Sequence, residues 1–256
     1  MPLLPGAEPF HHDGGPVGVL FCHGFTSSPQ SLRPWADYLA AHGYAVSLPR
    51  LPGHGTRWQD MQLTRWDDWY SELDRTFASL RSRCEHVFVM GLSMGGALAL
   101  RLAEQRGSEV AGIVLVNPYV VNVRRSFKLL PVLKLLAPTV KGGIAGDIKK
   151  PGMMEVGYDR VPLRALASLL ENVDRTRADL GKITQPLLIF RSSIDHVVEP
   201  DSCRELLAYA GTSEVEERVL EDSYHVATLD NEAETIFAGS AEFMRQHTRA
   251  SVSSNE

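Results

Sequence analysis

The 256-residue chain contains 44% hydrophobic and 22% charged residues, and its formal net charge is −5. This composition is typical of a globular protein and excludes a disordered chain, a collagen, a coiled coil and a disulfide-dense miniprotein. Because the chain has no excess of basic residues, its charge gives no support to nucleic-acid binding, and a small organic partner is expected instead.

Three cysteines, Cys22, Cys84 and Cys203, lie far apart in the chain. Their number is odd and no pair has metal-ligand spacing, so the sequence predicts reduced thiols rather than a disulfide framework. Residues 1–8 lack the charged and apolar regions of a signal peptide. Since no apolar run is long enough to cross a bilayer, we expect a soluble, cytoplasmic protein without an integral membrane segment.

Short apolar strands alternate with helical stretches along the chain. The first predicted strand, residues 17–22, is continuously apolar, which is typical of a parallel strand covered on both faces. A helix is predicted after it, with Ser28 as its cap, Pro29 in its first position and Gly43 at its end. The next predicted strand is residues 44–48.

The alternation of helices and strands continues along the rest of the chain. A helix is predicted from Thr64, with Asp67 in the capping-box position, and its aromatic stripe indicates packing rather than a binding surface. Later strands are predicted at residues 86–90, 110–116, 186–190 and 215–220, and a last helix from residues 230–231, capped by Asn231 and Glu234, to Gln246. The alternation predicts an α/β fold with a mainly parallel sheet and helices on both faces.

One segment interrupts the alternation. About 70 residues separate the strand that ends at Val116 from the strand that begins at Pro186, which is far more than one crossover helix needs. Residues 163–180 have the pattern of an ordinary helix. We interpret the leucine-rich segment Tyr119–Val161 as a cap over the sheet, because a loose surface loop would leave its leucines uncovered. The predicted organisation is a core of residues 1–118 and 162–256 with a cap of residues 119–161.

The segment Gly91-Leu92-Ser93-Met94-Gly95 follows a predicted strand and opens a predicted helix. It matches the Gly-x-Ser-x-Gly elbow, in which a sharp turn lifts a serine hydroxyl clear of the sheet. Such short matches also arise by chance. The position between a strand and a helix nevertheless indicates that Ser93 is a catalytic nucleophile rather than part of a structural turn.

A nucleophilic serine needs a base, and the base needs an orienting acid, in the chain order serine, acid, histidine. Asp195 follows the predicted strand 186–190, and His225 lies between the last strand and the last helix, so both are predicted to complete a triad with Ser93. His196 is the competing base, but it adjoins Asp195 and is predicted to face another way. The other histidines outside the glycine-rich loops, predicted to lie at the surface or in packing, are His11, His12, His42, His86 and His247.

Two backbone N–H donors are required to stabilise the oxyanion of an acyl transfer. One is expected from Met94, directly after the nucleophile, and the other from Phe25, in the loop after the first strand. His23 in that loop is predicted to fix the loop by hydrogen bonding, and His54 is predicted to have a similar structural role.

Five segments resemble the α/β-hydrolase superfamily, and within it the bacterial carboxylesterase and monoacylglycerol lipase group. They are His23-Gly24-Phe25-Thr26, Leu51-Pro52-Gly53-His54-Gly55, Gly91-Leu92-Ser93-Met94-Gly95-Gly96, Asp195-His196-Val197-Val198 and Ser223-Tyr224-His225-Val226-Ala227-Thr228-Leu229-Asp230. The resemblance covers nearly the whole chain and implies an apolar cap, the triad Ser93, Asp195 and His225, and the oxyanion hole of Phe25 and Met94. In the monoacylglycerol lipases a cap glutamate helps to hold the glycerol group, and Glu155 stands at the matching place.

These features together predict a carboxylic ester hydrolase that forms an acyl-enzyme. Short- or medium-chain esters or monoacylglycerols are the expected substrates, no metal or organic cofactor is implied, and the cap is expected to touch lipid surfaces only transiently. Thioesterase and perhydrolase activities stay open, since the same triad serves several leaving groups. The alternative from another class is a hydrolase-fold protein that binds a small molecule.

Overall fold

The structure is a computed structural model that describes residues 2–123, 129–142 and 146–253, with side chains described as far as residue 248. Parts of the predicted cap, residues 124–128 and 143–145, therefore lie outside the described residues. Within the described ranges, no helix combines the length and the apolar character needed to cross a membrane.

A seven-stranded sheet forms the centre of the molecule. The described strands are β1 Phe10–His12, β2 Val17–Cys22, β3 Ala45–Leu48, β4 His86–Leu92, β5 Gly112–Val116, β6 Thr139–Lys141, β7 Arg160–Pro162, β8 Leu187–Ser192 and β9 Val215–Leu220. The central sheet has the order β1-β3-β2-β4-β5-β8-β9, and β6 pairs with β7 in a separate two-stranded sheet. Only β1 is antiparallel to its neighbour in the described central sheet, so the predicted mainly parallel sheet is confirmed.

Helices cover both faces of this sheet. The described α-helices are α1 Arg33–Ala41, α2 Trp58–Met61, α3 Trp66–Arg81, α4 Met94–Arg106, α5 Leu130–Leu136, α6 Leu163–Ala178, α7 Asp201–Tyr209 and α8 Ala233–Ser253. Apolar side chains of α3, α4, α6 and α7 pack in one core cluster, and those of α1 and α8 pack in the cluster on the opposite face.

The continuously apolar strands follow from this double coverage. In β2, Leu20 and Cys22 enter one core cluster, whereas Val19 and Phe21 enter the other. Because successive side chains of a strand point to opposite faces, a strand buried on both faces needs an apolar residue at every position. The aromatic stripe of α3 is buried in the first cluster, which confirms its interpretation as packing.

Three predicted helix caps differ from the structure. Ser28 is followed by a 3₁₀ turn at Pro29–Leu32, and its hydroxyl donates to the carbonyl oxygen of Val156 at 2.8 Å instead of capping the helix. The capping box of α3 uses Asp68 rather than Asp67, since the Arg65 N–H donates to Asp68 Oδ2 at 2.9 Å. The Asn231 side chain donates to the Asp222 carbonyl at 3.1 Å, and α8 begins only at Ala233.

Other short elements are absent from the sequence-based prediction. Strand β1 extends the sheet by pairing with β3, and α2 is a single turn between β3 and α3. The β6–β7 hairpin ends at Pro162, one residue beyond the predicted end of the cap. Elements of three or four residues are too short for a periodic pattern, so partners elsewhere in the chain decide whether they form.

A buried carboxyl group in α4 makes the stability of this fold depend on pH. The Glu104 side chain is fully buried, and Arg101 Nη1 donates to Glu104 Oε2 at 2.8 Å. Glu104 Oε1 has no hydrogen-bond partner among the described residues. Burial raises the pKa of Glu104 to about 7, although the hydrogen bond and charge of Arg101 act in the opposite direction.

We expect Glu104→Gln to become more stable relative to the native chain as the pH rises from 5 to 8. The folded state of the native chain holds the Glu104 proton more tightly than the unfolded state, so its stability falls as the pH rises from about 4.5 through about 7. A shift of this size corresponds to roughly 3 kcal/mol, or a relative Tm change on the order of 5–10 °C. Thermal melts of both proteins across this pH range measure the difference, with Glu109→Gln as the exposed control; a constant Tm difference would contradict it.

Candidate active site

The candidate site lies at the carboxyl ends of the central parallel strands. In the central sheet, β3 lies on one side of β2 and β4 lies on the other side. The direction in which successive strands are added therefore reverses at β2. In open α/β sheets, such a reversal leaves a crevice outside the carboxyl ends of the strands. The loop after β2 carries His23 to Thr26, and the turn after β4 carries Ser93.

Ser93 lies in a strained turn between β4 and α4. Its backbone angles are φ 57° and ψ −120°, which a residue with a side chain rarely adopts. The turn is tightly packed: a Cβ on Gly95 would lie 1.8 Å from the Cys22 carbonyl oxygen, and a Cβ on Gly91 would lie 2.3 Å from that of Gly95. The two glycines are therefore required for the close backbone approach expected of the elbow.

The structure brings Asp195 and His225 together as the sequence predicts. Asp195 Oδ2 lies 2.8 Å from His225 Nδ1, and both side chains are almost fully buried. Asp195 Oδ1 accepts hydrogen bonds from the N–H groups of Val197 at 2.8 Å and Val198 at 2.9 Å. Burial alone would raise the pKa of Asp195, but the charge and hydrogen bond of His225 and the two backbone donors together hold this pKa below its usual value.

Ser93 and His225 line one small cavity. Its other lining residues are Gly24, Phe25, Ser27, Leu92, Glu155 and Val226. The free volume is about 10 Å³, which has room for about one water molecule. An acyl group is larger than this free volume.

Phe25 and Met94 carry the two backbone N–H groups predicted for an oxyanion hole. Phe25 lines the cavity that Ser93 and His225 share, whereas Met94 is not among its lining residues. Neither N–H group donates to a backbone or side-chain acceptor within the part of the chain that the structure describes. The Phe25 ring is buried edge-to-face against Trp69, with ring centroids 5.9 Å apart. Thr26, at φ 60°, donates through its hydroxyl to the Phe25 carbonyl at 2.6 Å, so the conformation of this loop is held locally.

His23 has the loop-fixing contacts that the sequence predicts. Its Nδ1 lies 3.1 Å from the Gly24 carbonyl oxygen, and its Nε2 accepts a hydrogen bond from the Leu51 N–H at 3.2 Å. Burial lowers the pKa of His23 to about 4, which keeps the ring neutral near pH 7. His54 packs edge-to-face on His23 at 5.0 Å, and burial lowers its pKa as well.

Glu155 enters the cavity from the predicted cap. Its Oε1 accepts a hydrogen bond from the Ser27 hydroxyl, and its Oε2 accepts one from the Gly146 N–H at 3.3 Å. Burial raises the pKa of Glu155, although the Ser27 hydrogen bond and the nearby His225 charge oppose this shift. The carboxyl group is thus held beside both Ser93 and His225 by polar partners from two segments.

Asp147 makes contacts that the sequence-based prediction did not include. Its Oδ2 accepts from the His225 N–H at 3.2 Å, and its Oδ1 lies 2.8 Å from His196 Nδ1. Its carbonyl oxygen accepts from the Val226 N–H at 3.0 Å. His196 therefore faces Asp147 and is not among the residues that line the cavity, in agreement with the prediction that it faces another way than His225. A lone aspartate inside a long insertion carries no sequence signal for such contacts.

Comparison with known proteins places the chain in a family. The model of the alpha/beta hydrolase family matches residues 19–237. The chain is 41% identical over 248 residues to the thermostable monoacylglycerol lipase of Bacillus sp. (strain H-257), covering 96% of this chain and 97% of that protein. It is 25% identical to the carboxylesterase of Bacillus subtilis (strain 168), covering 93% and 96% of the two chains.

A solved structure gives the same result. A chain from work on LipS and LipT, two metagenome-derived lipolytic enzymes, superimposes with a TM-score of 0.93 at 38% identity, covering 96% of this chain and all of that one. The fold and the elbow are those of a hydrolase built on a parallel sheet. The chain belongs to the alpha/beta hydrolase family.

Proposed function

We propose that this protein hydrolyses carboxylic esters through an acyl-enzyme formed on Ser93. The proposal rests on the position of the His225 ring. His225 Nδ1 lies 2.8 Å from Asp195 Oδ2, and His225 lines the same cavity as Ser93. A serine at a strained elbow beside an oriented imidazole is the arrangement that serine hydrolases use. The family membership and the names of the similar proteins support the same reaction class.

The proposed reaction has two steps. In the first, His225 takes the Ser93 proton as Oγ attacks the ester carbonyl, the Phe25 and Met94 N–H groups bind the oxyanion, and His225 returns the proton to the departing alcohol. In the second, His225 takes a proton from water, whose oxygen attacks the acyl-enzyme, and then protonates Ser93 as the carboxylic acid leaves. Asp195 holds the imidazole in one tautomer and stabilises its charged form throughout.

Monoacylglycerols and short- or medium-chain esters are the proposed substrates. A chain-length series of p-nitrophenyl esters, assayed beside monoacyl-, diacyl- and triacylglycerols, tests this proposal. We expect cleavage of the monoesters and of monoacylglycerols, with little activity on triacylglycerols. Activity restricted to long triacylglycerols would contradict the substrate class. A folded chain that resisted a fluorophosphonate probe would contradict the reaction itself.

Glu155 is proposed to contact the alcohol part of the substrate, since its carboxyl group lines the cavity beside Ser93 and His225. We expect Glu155→Gln to raise KM for a monoacylglycerol by about 10-fold, because a hydrogen bond to a charged acceptor is worth about 1.5–3 kcal/mol. KM for p-nitrophenyl butyrate, which has no glycerol hydroxyl groups, stays within about twofold of the native value. Steady-state kinetics on both substrates measure this, with exposed Glu171→Gln as the control. Equal effects on the two substrates would contradict a role in binding the alcohol.

Residues 119–161 are proposed to act as the cap of this site and to touch lipid surfaces transiently. The expectation that the leucines of this segment are covered is wrong for most of those in and beside α5. The exposed large apolar side chains there are Leu129, Val132, Leu133, Leu135 and Leu136. Leu135 and Leu136 are each 77% exposed, which leaves them free to enter a lipid interface.

We expect Leu135→Ser/Leu136→Ser to bind vesicles of neutral lipid at least about 10-fold more weakly, because each leucine transferred from water to lipid contributes about 1.5–3 kcal/mol. Hydrolysis of dissolved p-nitrophenyl butyrate is expected to stay unchanged. Vesicle sedimentation and the soluble assay give the two values, and Leu207→Ser, in α7, is the control. Undiminished vesicle binding by the double variant would show that another surface makes the contact.

A further inference from the structure

We propose that Asn117 is a positioning residue that holds the loops carrying Asp195 and His225 in register with the turn that carries Ser93. This inference rests on the proposed function, since it assigns these three residues to catalysis. Asn117 directly follows β5, and its side chain is buried between the ends of β5 and β8 and the loop before α8. It does not line the cavity that Ser93 and His225 share.

The carboxamide of Asn117 joins the two loops directly. Its Oδ1 accepts a hydrogen bond from the Ser192 N–H at 2.8 Å, at the end of β8 and three residues before Asp195. Its Nδ2 donates to the His225 carbonyl oxygen at 2.8 Å and to Ser192 Oγ at 3.0 Å. Ser192 Oγ in turn donates to the Tyr224 carbonyl at 2.8 Å. One planar group thus sets the separation of the backbones that carry the acid and the base.

The backbone beside Asn117 is bound to the nucleophile turn. The Ser93 N–H donates to the carbonyl oxygen of Val116 at 3.1 Å, and the Tyr119 N–H donates to the carbonyl oxygen of Ser93 at 3.1 Å. Val116 and Tyr119 flank Asn117 closely in the sequence. The four-residue stretch 116–119 therefore contacts all three segments that carry the proposed catalytic side chains.

Both the side chain and the backbone restrict the residue type at this position. Asn117 has φ 43°, a left-handed conformation in which asparagine is several-fold enriched, and its N–H donates to the Phe190 carbonyl at 2.9 Å. Aspartate tolerates this conformation but has no donor for the His225 carbonyl, and glycine has no side chain. Asn117 is 2% exposed, and it lines a second cavity of about 260 Å³ together with Ser192 and Asp195. Either substitution therefore removes hydrogen bonds at the place where the backbones of the two loops meet.

Substitution of Asn117 is expected to lower kcat and not only the stability of the fold. A displacement of about 1 Å in a catalytic group costs about 10²-fold in rate, whereas substrate binding in the cavity depends on other residues. We expect Asn117→Gly, which keeps the left-handed backbone without strain, to lower kcat for p-nitrophenyl butyrate by about 10²-fold with KM within about twofold. Asn117→Asp, which keeps the shape but not the donor, is expected to have the same effect.

The matched control is Asn172→Asp. Asn172 in α6 also donates through Nδ2 to a carbonyl oxygen, that of Ser168, at 2.9 Å, and it lies outside the site. Assays are made well below the Tm of each variant, so that loss of folded protein does not enter kcat. A lower Tm with native kcat in the Asn117 variants would overturn the proposal, and so would an equal loss of kcat in Asn172→Asp.

A spectroscopic measurement separates this proposal from the proposed function. The proton shared by His225 Nδ1 and Asp195 is observable as a downfield imidazole resonance in ¹H NMR and is assigned by its loss in His225→Gln. We expect this resonance to broaden or disappear in Asn117→Gly and to persist in Asn172→Asp. Its persistence in both Asn117 variants would overturn the positioning role, whether or not the native chain cleaves esters. An unreactive native chain whose resonance is lost in Asn117→Gly would contradict only the proposed function.

Discussion

Ser93→Ala is expected to hydrolyse p-nitrophenyl butyrate about 10⁴- to 10⁶-fold more slowly than the native chain. The substitution removes the oxygen that forms the acyl-enzyme but leaves the Phe25 and Met94 N–H groups and the cavity in place. The residual rate therefore measures what positioning and the proposed oxyanion hole supply without covalent catalysis. Initial rates of hydrolysis measure the loss of activity. Labelling by a fluorophosphonate probe, which is expected to be absent in the variant, is an independent test.

The control for this prediction is Ser79→Ala, which removes the side-chain hydroxyl of an exposed serine in α3. The control is expected to keep native kinetics and labelling. Near-native hydrolysis by Ser93→Ala would contradict the role of Ser93 as the nucleophile.

A second substitution at the same position tests the backbone strain. Ser93→Gly relieves the strain at φ 57°, which costs about 1–3 kcal/mol. That variant is therefore expected to melt at a higher temperature than Ser93→Ala while being equally inactive.

The parallel sheet could be predicted because its signals are local. Strand β2 is apolar at every position, since both of its faces are covered, and the elbow motif sits between β4 and α4 as its chemistry requires. The order of Ser93, Asp195 and His225 along the chain indicated which loops meet, because the carboxyl ends of parallel strands share one edge of a sheet. The structure places Asp195 and His225 in contact at that edge.

What could not be predicted depends on partners far away in the sequence. Ser28 has the local pattern of a helix cap, but its hydroxyl donates to Val156, 128 residues later. Asn117 and Asp147 are single polar residues without a motif, and their roles depend on loops that follow different strands. Local propensity describes what a residue does with its neighbours, and long-range contacts override it where they satisfy a buried polar group.

The segment that carries Asp147 and Glu155 is bonded to the core at several places. Asp147 accepts from the His225 N–H, and Lys149 and Lys150 donate through their backbone N–H groups to Asp230 at 2.7 and 2.8 Å. Tyr158 donates through its hydroxyl to the Gly53 carbonyl at 2.7 Å. The proposed cap is therefore hydrogen-bonded to the backbone of the proposed base, His225.

Asp195→Asn is expected to lower kcat by about 10⁴-fold, although the two side chains have the same shape. Asp195 Oδ1 accepts from the N–H groups of Val197 and Val198, so these donors require an oxygen at that position. The asparagine oxygen is expected to occupy it, which leaves the NH₂ group facing His225 Nδ1. An NH₂ group only donates there, so the imidazole accepts at Nδ1 and carries its proton on Nε2. A ring protonated on Nε2 has no lone pair with which to take the Ser93 proton.

The substitution also removes the negative charge that stabilises the imidazolium, so the loss falls on kcat rather than on KM. Because interactions within the native site hold the pKa of Asp195 below its usual value, the carboxylate stays charged through mildly acidic pH, and acidification to pH 5 does not mimic the variant. Asp201→Asn, at the exposed start of α7, is the matched control and is expected to keep native kcat. Retention of more than about a tenth of native kcat by Asp195→Asn would contradict the role of Asp195 as the acid that orients His225.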